Sequence, residues 1–289
     1  MNLAGTVNFL VSSVLFNIAL LAVISIGLAV IFGMMGIINL AHGEFIMIGA
    51  FFTLTGVKHG LNIWIAMPVA AVAVGFVGVA VERCLIRFLY GRLAATMLAT
   101  WGLSLILVQA ATLIYGPTPQ GIQTPLKSFH IGRYDISEYS LAFIGVTVAI
   151  IGLVLFVFTR TRYGLMARAT MQSPGMAAAV GVNAGRINMM TFAFGSALAG
   201  AAGALLAPLV GVVPSMGQSY VGQAFMTVVV GGPGVLTGTA SASGLLGTVS
   251  SVTSNLVNSV LGSVALLVVA VILLRLMPTG LSGRWGRKL

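Results

Sequence analysis

Long apolar runs, separated by short polar or basic loops, dominate this chain. They lie at about 8–33, 36–57, 62–82, 94–115, 139–159, 187–211, 221–250 and 254–274. Each approaches the roughly 20 residues that an α-helix needs to cross about 30 Å of hydrocarbon. Apolar residues within a run are continuous rather than alternating, which favours helices over the strands of an outer-membrane barrel. The pattern predicts an all-α fold: a polytopic inner-membrane helix bundle with about eight membrane segments, forming a single transmembrane domain over 1–289.

One run breaks the pattern. Gly231-Gly232-Pro233-Gly234 falls inside 221–250 and cannot hold a straight helix. Topology sharpens the point. Basic residues collect at Arg83, Arg87 and Arg92, then from Arg160 to Arg186, then at Arg275, Arg284, Arg287 and Lys288, and positive loops mark the cytoplasmic side. The mixed-charge loop from Gly116 to Tyr139, with Lys127, Arg133, Asp135 and Glu138, fits the outer face. If 221–250 crosses once, the basic C-terminus falls on the wrong side. A re-entrant pair of half-helices broken at Gly231–Gly234 removes the conflict and puts the C-terminus in the cytoplasm. Broken backbone at membrane depth belongs where it is buried in protein or lines a cavity. Gly33-Met34-Met35-Gly36, followed by Ile48-Gly49, repeats the spacing of Gly231–Gly234 followed by Leu246-Gly247. Internal repeats with interrupted segments recur in transporters.

Composition supports this reading. The chain has 289 residues, 58% hydrophobic and 6% charged, against about 25% charged in a soluble domain. Its 37 glycines suit close helix approach in lipid. Ala197 to Ala204, with Gly200 and Ala204 four apart, forms one such packing face. The net charge of +10 sits in short loops and not along a soluble helix, so nucleic acid is not an expected partner. Cys84 is the sole cysteine, so no intrachain disulfide is possible. Met1 to Leu10 carry no basic residue, which predicts that the first span is retained rather than cleaved.

Polar residues inside apolar runs are costly and turn inward. Asn39, His42 and Glu44 are the densest group. Asn39 and His42 share a helix face, whereas His42 and Glu44 do not, which argues against a metal pair or a catalytic pair. Glu44 is read either as a buried structural acid or as a pathway residue. Gln218, Ser219 and Gln223 precede the Gly-rich break, as neutral donors and acceptors or as helix caps. Trp101 and Gln109, with Tyr115, mark 94–115; Gln109 either bridges two helices or meets substrate. Asn39, His42, Glu44, Trp101, Gln109, Gln218, Ser219 and Gln223 are the candidate substrate pathway. No metal site is expected. The only lysines, Lys58, Lys127 and Lys288, follow no GxxxxGK[ST] run, so this chain lacks that nucleotide-phosphate loop. No HExxH or Gly-x-Ser-x-Gly motif appears, and an enzyme lacks a nucleophile–base set.

The segment 160–186 is the one sizeable polar, basic stretch, with Arg160, Arg162, Arg168 and Arg186 around Ala177-Ala178-Ala179-Val180-Gly181-Val182-Asn183. Such a segment between apolar spans reads as a dock for a soluble partner.

Gly36-Ile37-Ile38-Asn39-Leu40-Ala41-His42-Gly43-Glu44 resembles the signature of the permease subunits of branched-chain amino-acid-type ABC importers. Arg162-Tyr163-Gly164 through Ala177–Asn183, Gly231–Gly234 and Pro278-Thr279-Gly280-Leu281 resemble that family in order along nearly the whole chain. Leu89–Arg92, Leu98–Gly102, Pro214–Tyr220 and Phe225-Met226 look closer to its urea and short-chain-amide branch. Pro233 and Gln223-Ala224 depart from that branch's pattern.

The resemblance implies a bacterial inner-membrane importer subunit, not an enzyme. Expected partners are a second, homologous permease in a heterodimer, two cytoplasmic ATPases, a periplasmic solute-binding protein and membrane lipid. This chain would bind no cofactor, with ATP and Mg in the ATPase subunits. Residues 160–186 would carry the coupling helix, with Ala177, Ala178 and Gly181 permitting close approach, Asn183 ending the stretch, and Arg168 and Arg186 flanking it. The expected solute is urea or a short amide; the alternatives are a branched-chain amino-acid importer permease and a facilitative urea or amide channel without ATPase.

Overall fold

The computed structural model describes residues 3–126, 128–131 and 134–284. Lys127, Arg133, Arg287 and Lys288, on which part of the charge pattern rests, lie outside them. The fold is helical apart from one hairpin. In chain order the helices are α1 (Leu3–Met35), α2 (His42–Lys58), α3 (Ile63–Cys84) and α4 (Leu93–Tyr115). A two-stranded hairpin follows, β1 (Ser128–Ile131) antiparallel to β2 (Tyr134–Ser137), with Ser128 opposite Ser137. Then come α5 (Glu138–Arg160), α6 (Arg162–Gln172), α7 (Pro174–Ala179), α8 (Ala184–Leu206), α9 (Met216–Gly231), α10 (Thr237–Leu256) and α11 (Ser259–Leu276).

Six helices among the described residues are long and apolar enough to cross a membrane: α1 from Val11, α3, α4, α5, α8 and α11. This differs from the eight segments expected. The run 36–57 opens with irregular backbone, so α2 has only 17 residues, and 221–250 divides between α9 and α10. The hairpin was not anticipated. It occupies the mixed-charge loop, where no apolar run dictates a helix.

The described residues fall into two compact units. Unit one comprises 1–25, 123–150 and 222–289; unit two comprises 26–122 and 151–221. In unit two, α8 is the central helix, packed against α2 and α3. Its small face is the reason. A Cβ on Gly200 would lie 2.6 Å from the Val74 Cβ of α3, and one on Gly203 would lie 2.7 Å from the Ile46 carbonyl carbon of α2. Gly49 on α2 meets the Gly200 backbone in turn. Ala199, Ala202 and Ala204 are fully buried. The Ala197–Ala204 face thus packs as expected, and without Cβ atoms the backbones approach closely.

In unit one, α10 and α11 pack antiparallel, and Gly247 of α10 lies against Ile18 of α1. Asn255 Nδ2 donates to Ser13 Oγ at 2.9 Å, a side-chain tie between α10 and α1. Gln223 Nε2 donates to Ser263 Oγ at 3.4 Å, joining α9 to α11. The break at Gly231-Gly232-Pro233-Gly234 is present, with Gly232 at φ +79. Its place differs from the re-entrant expectation. The Leu281 amide donates to the Val230 carbonyl at 2.8 Å, the Gly234 amide to Ser282 Oγ at 2.8 Å, and Ser282 Oγ to the Gly231 carbonyl at 2.6 Å. The break is therefore tied to the chain just beyond α11, at the end of a spanning helix rather than half-way along one. Proline and glycine dictate a break, but the partner of the freed backbone decides its depth. The repeat does not align either: positive φ falls on Gly36 and Gly232, whereas the repeat pairs Gly36 with Gly234.

Candidate functional site

Two features of unit two carry chemistry, a buried polar cluster at the start of α2 and the segment between α5 and α8.

The first begins where α1 stops. Gly36 takes φ +65, and residues 36–41 run without helix until His42. Asn39, His42 and Glu44 are all buried. No side chain caps α2, but Asn39 Oδ1 accepts from the Ala41 amide at 3.1 Å and holds the turn. Glu44 sits in the first turn, where the helix dipole favours a carboxylate. Gly43 and Gly217 touch backbone to backbone, and a Cβ on either would collide with the other's carbonyl. This contact brings the start of α9, with Gln218 and Ser219, against the start of α2. Both of those side chains are exposed. A Cβ on Gly27 of α1 would lie 3.2 Å from His42 Cε1, so α1 closes the cluster on another side.

The inner face of α4 completes it with residues the sequence reading did not single out. The Leu40 amide donates to Thr100 Oγ1 at 3.1 Å, and the Ser104 side chain hydrogen-bonds Glu44. Thr96, Thr100 and Ser104 are buried and recur every fourth residue along α4. That period was the available signal. Trp101 and Gln109 are exposed, Trp101 beside the buried face of α4 and Gln109 opposite it, and Gln109 makes no hydrogen bond among the described residues. They do not join the cluster because the helix turns them away from α2. Gln223 lies in unit one and bonds Ser263, as above.

Asn39 Nδ2 and Glu44 Oε2 have no hydrogen-bond partner among the described residues. Leaving one such buried group unsatisfied costs about 1–3 kcal/mol. A donor and an acceptor left open in one buried turn can be met by water or by a polar solute. The described residues contain no group of three His, Cys, Asp or Glu side chains able to hold a metal ion.

The second feature is a series of capped helix starts. Thr161 Oγ1 accepts from the Gly164 amide at 3.1 Å to start α6, Ser173 Oγ accepts from the Met176 amide at 3.4 Å to start α7, and Asn183 Oδ1 accepts from the Arg186 amide at 3.0 Å to start α8. Such caps satisfy amides that a helix start leaves open. Tyr163 Oη and Thr191 Oγ1 lie 2.7 Å apart and fasten α6 to α8. Burial pushes the Tyr163 hydroxyl up to about 12. Gly181 takes φ +88 with open space around it. Arg168, Ala178 and Arg186 are exposed. Ala177 is not: it is 3% exposed and packs inward. Met176 and Val180 project beside it, 70% and 78% exposed.

Residues 10–277 match the family model described as the branched-chain amino acid transport system permease component. The chain belongs to this family. It is an integral membrane permease component, in keeping with its apolar helices. It is 30% identical to the high-affinity branched-chain amino acid transport system permease protein LivH of Salmonella typhimurium, over 91% of each chain. It is 28% identical to the corresponding permease BraD of Pseudomonas aeruginosa, again over 91% of each. Permease LivM of Escherichia coli is 28% identical over 78% of this chain and 60% of its own length. No solved structure matches the chain.

Proposed function

We propose that this chain is one of two permease subunits of an ATP-binding cassette importer for branched-chain amino acids. Membership of the permease family across residues 10–277, with relatives named for that transport, carries the reading. It replaces urea or a short amide as the favoured solute, since the family model and the relatives it resembles are named for branched-chain amino acid transport. The buried turn at α2 is compatible with a zwitterion. Glu44 Oε2 is an open acceptor that would suit an ammonium group, and Asn39 Nδ2 is an open donor that would suit a carboxylate. The resemblance to LivM supports a homologous second permease.

The segment from Arg162 to Asn183 would dock an ATPase, with Met176 and Val180 as apolar anchors and Arg168 and Arg186 at the rim. Caps at Thr161, Ser173 and Asn183 fix the starts of α6, α7 and α8, and motion of the dock would reach α2 through α8, which holds it at Gly200 and Gly203. The test is uptake of labelled leucine and labelled urea by cells expressing this chain with its partner subunits, with and without ATP depletion. ATP-dependent leucine uptake is expected. ATP-dependent urea uptake that leucine does not compete would overturn the substrate, and urea flux without ATP through this chain alone would make it a channel.

A further inference from the structure

A cavity of about 190 Å³ opens in unit two where α3 ends and α8 begins, lined by Glu82, Arg83, Arg87, Asn183, Gly185, Arg186 and Met189. Three guanidinium groups face one carboxylate there. Glu82 is 2% exposed and accepts from the Tyr90 hydroxyl, which occupies it. Burial, together with the Glu82 carboxylate, pushes the Tyr90 hydroxyl well above its ordinary value, so it stays a donor. The guanidinium groups of Arg83, Arg87 and Arg186 are exposed and form no ion pair or hydrogen bond among the described residues. The first amides of α8, at Ala184 and Gly185, have no intrahelical acceptor, and Gly185 carries no side chain to cover them. The cavity thus combines three cations, against one carboxylate that the Tyr90 hydroxyl already occupies, with the positive end of a 23-residue helix.

We infer that this cavity binds a phosphate group, and that its source is the headgroup of an anionic phospholipid. Two observations favour lipid over free phosphate. The cavity lies at the ends of α3 and α8, both long and apolar enough to span a membrane. Phe88, the residue after Arg87, is 73% exposed, an apolar side chain suited to the acyl boundary next to a headgroup. Basic pockets between membrane helices are a recurrent seat for such headgroups. The transport reading sets Arg186 at the rim of the ATPase dock but gives Glu82, Arg83 and Arg87 no role, and the inference does not depend on the solute.

The test is native mass spectrometry of the full-length chain, delipidated in mild detergent and titrated with phosphatidylglycerol, cardiolipin or phosphatidylcholine. One anionic lipid should remain bound at activation that strips phosphatidylcholine. Each basic contact with an anionic headgroup is worth roughly fivefold, so Arg83→Gln with Arg87→Gln should weaken it by about thirtyfold. Arg83→Lys with Arg87→Lys should restore most of the binding. If the glutamine pair fails to fold, Arg186→Gln alone should give the roughly fivefold loss of one contact. Equal retention of phosphatidylcholine, or unchanged retention in the glutamine variants, overturns the proposal. So does competition by millimolar inorganic phosphate, which would make the source a free anion. Loss of ATPase binding with lipid retention intact would make the cavity a protein socket instead.

Discussion

Adding one methyl group to Gly203 tests whether the contact between α8 and α2 is as close as it looks. A Cβ there would lie 2.7 Å from the Ile46 carbonyl carbon and 3.0 Å from the Ala50 nitrogen. Both are backbone atoms of fully buried residues, so no side-chain rotation relieves the clash. Overpacking of this kind costs about 1–3 kcal/mol. Alanine also gains about 1 kcal/mol in helix propensity over glycine. Gly203→Ala should therefore lose up to about 2 kcal/mol net. Gly102 of α4 is the control, because nothing lies within 4 Å of a Cβ built there. Gly102→Ala keeps only the propensity gain and should stabilise by about 1 kcal/mol. Unfolding of the isolated chain in mixed detergent measures both. The two variants should move in opposite directions. If Gly203→Ala is as stable as Gly102→Ala, α8 is not packed against α2 in this way.

Four further outcomes are expected. Glu44→Gln should abolish uptake while leaving expression and subunit assembly intact, whereas loss of assembly on purification would make Glu44 a structural acid. Met176→Asp with Val180→Asp should prevent co-purification of the ATPase and leave the thermal stability of the permease unchanged; normal uptake would remove α7 from the dock. Ser282→Ala deletes one donor and one acceptor at the Gly231–Gly234 break. At about 1–3 kcal/mol for groups left unsatisfied, hydrogen exchange at Gly234 should rise at least several-fold, and unchanged protection would contradict the tie to the end of α11. Tyr163 ionises near 12 in the fold against 10 when unfolded, so its contribution is whole below pH 10 and is lost as pH rises toward 12. Tyr163→Phe should flatten that alkaline decline, measured as unfolding midpoint against pH.

The hydrophobic pattern made the helical class legible, because only continuous apolar runs satisfy backbone groups in lipid. The Ala197–Ala204 packing face was equally plain. The starts of α6, α7 and α8 carry a Thr, Ser or Asn where the caps stand. Asn39, His42 and Glu44 could be picked out as polar residues amid apolar ones, and the structure does bury them together. The reading failed where residue type and direction part company. Trp101 and Gln109 stand out by chemistry but face away, while Thr96, Thr100 and Ser104 are ordinary helix residues whose four-residue period alone aims them inward. Ala177 looked like a small docking surface and is a small core residue for the same reason. The depth of the Gly231–Gly234 break depended on Ser282, about fifty positions later, which no local pattern announces.

In unit two the glycines do not loosen the fold. Gly49, Gly200 and Gly203 press backbones together and make α2 and α8 a close-packed pair, while Gly36 and Gly181, with positive φ and no atom within 4 Å of a Cβ built there, are where the chain turns out of α1 and α7. One such turn precedes the polar cluster and the other precedes α8, next to the exposed Met176 and Val180. A push at the dock would then reach Glu44 through α8 and α2 as one body, with bending confined to Gly36 and Gly181. On that argument Gly181→Ala, which strains the backbone by about 1–2 kcal/mol without touching a neighbour, should slow leucine uptake yet leave ATPase binding unchanged. Uptake at the wild-type rate would mean that the turn at Gly181 only connects α7 to α8 and transmits nothing.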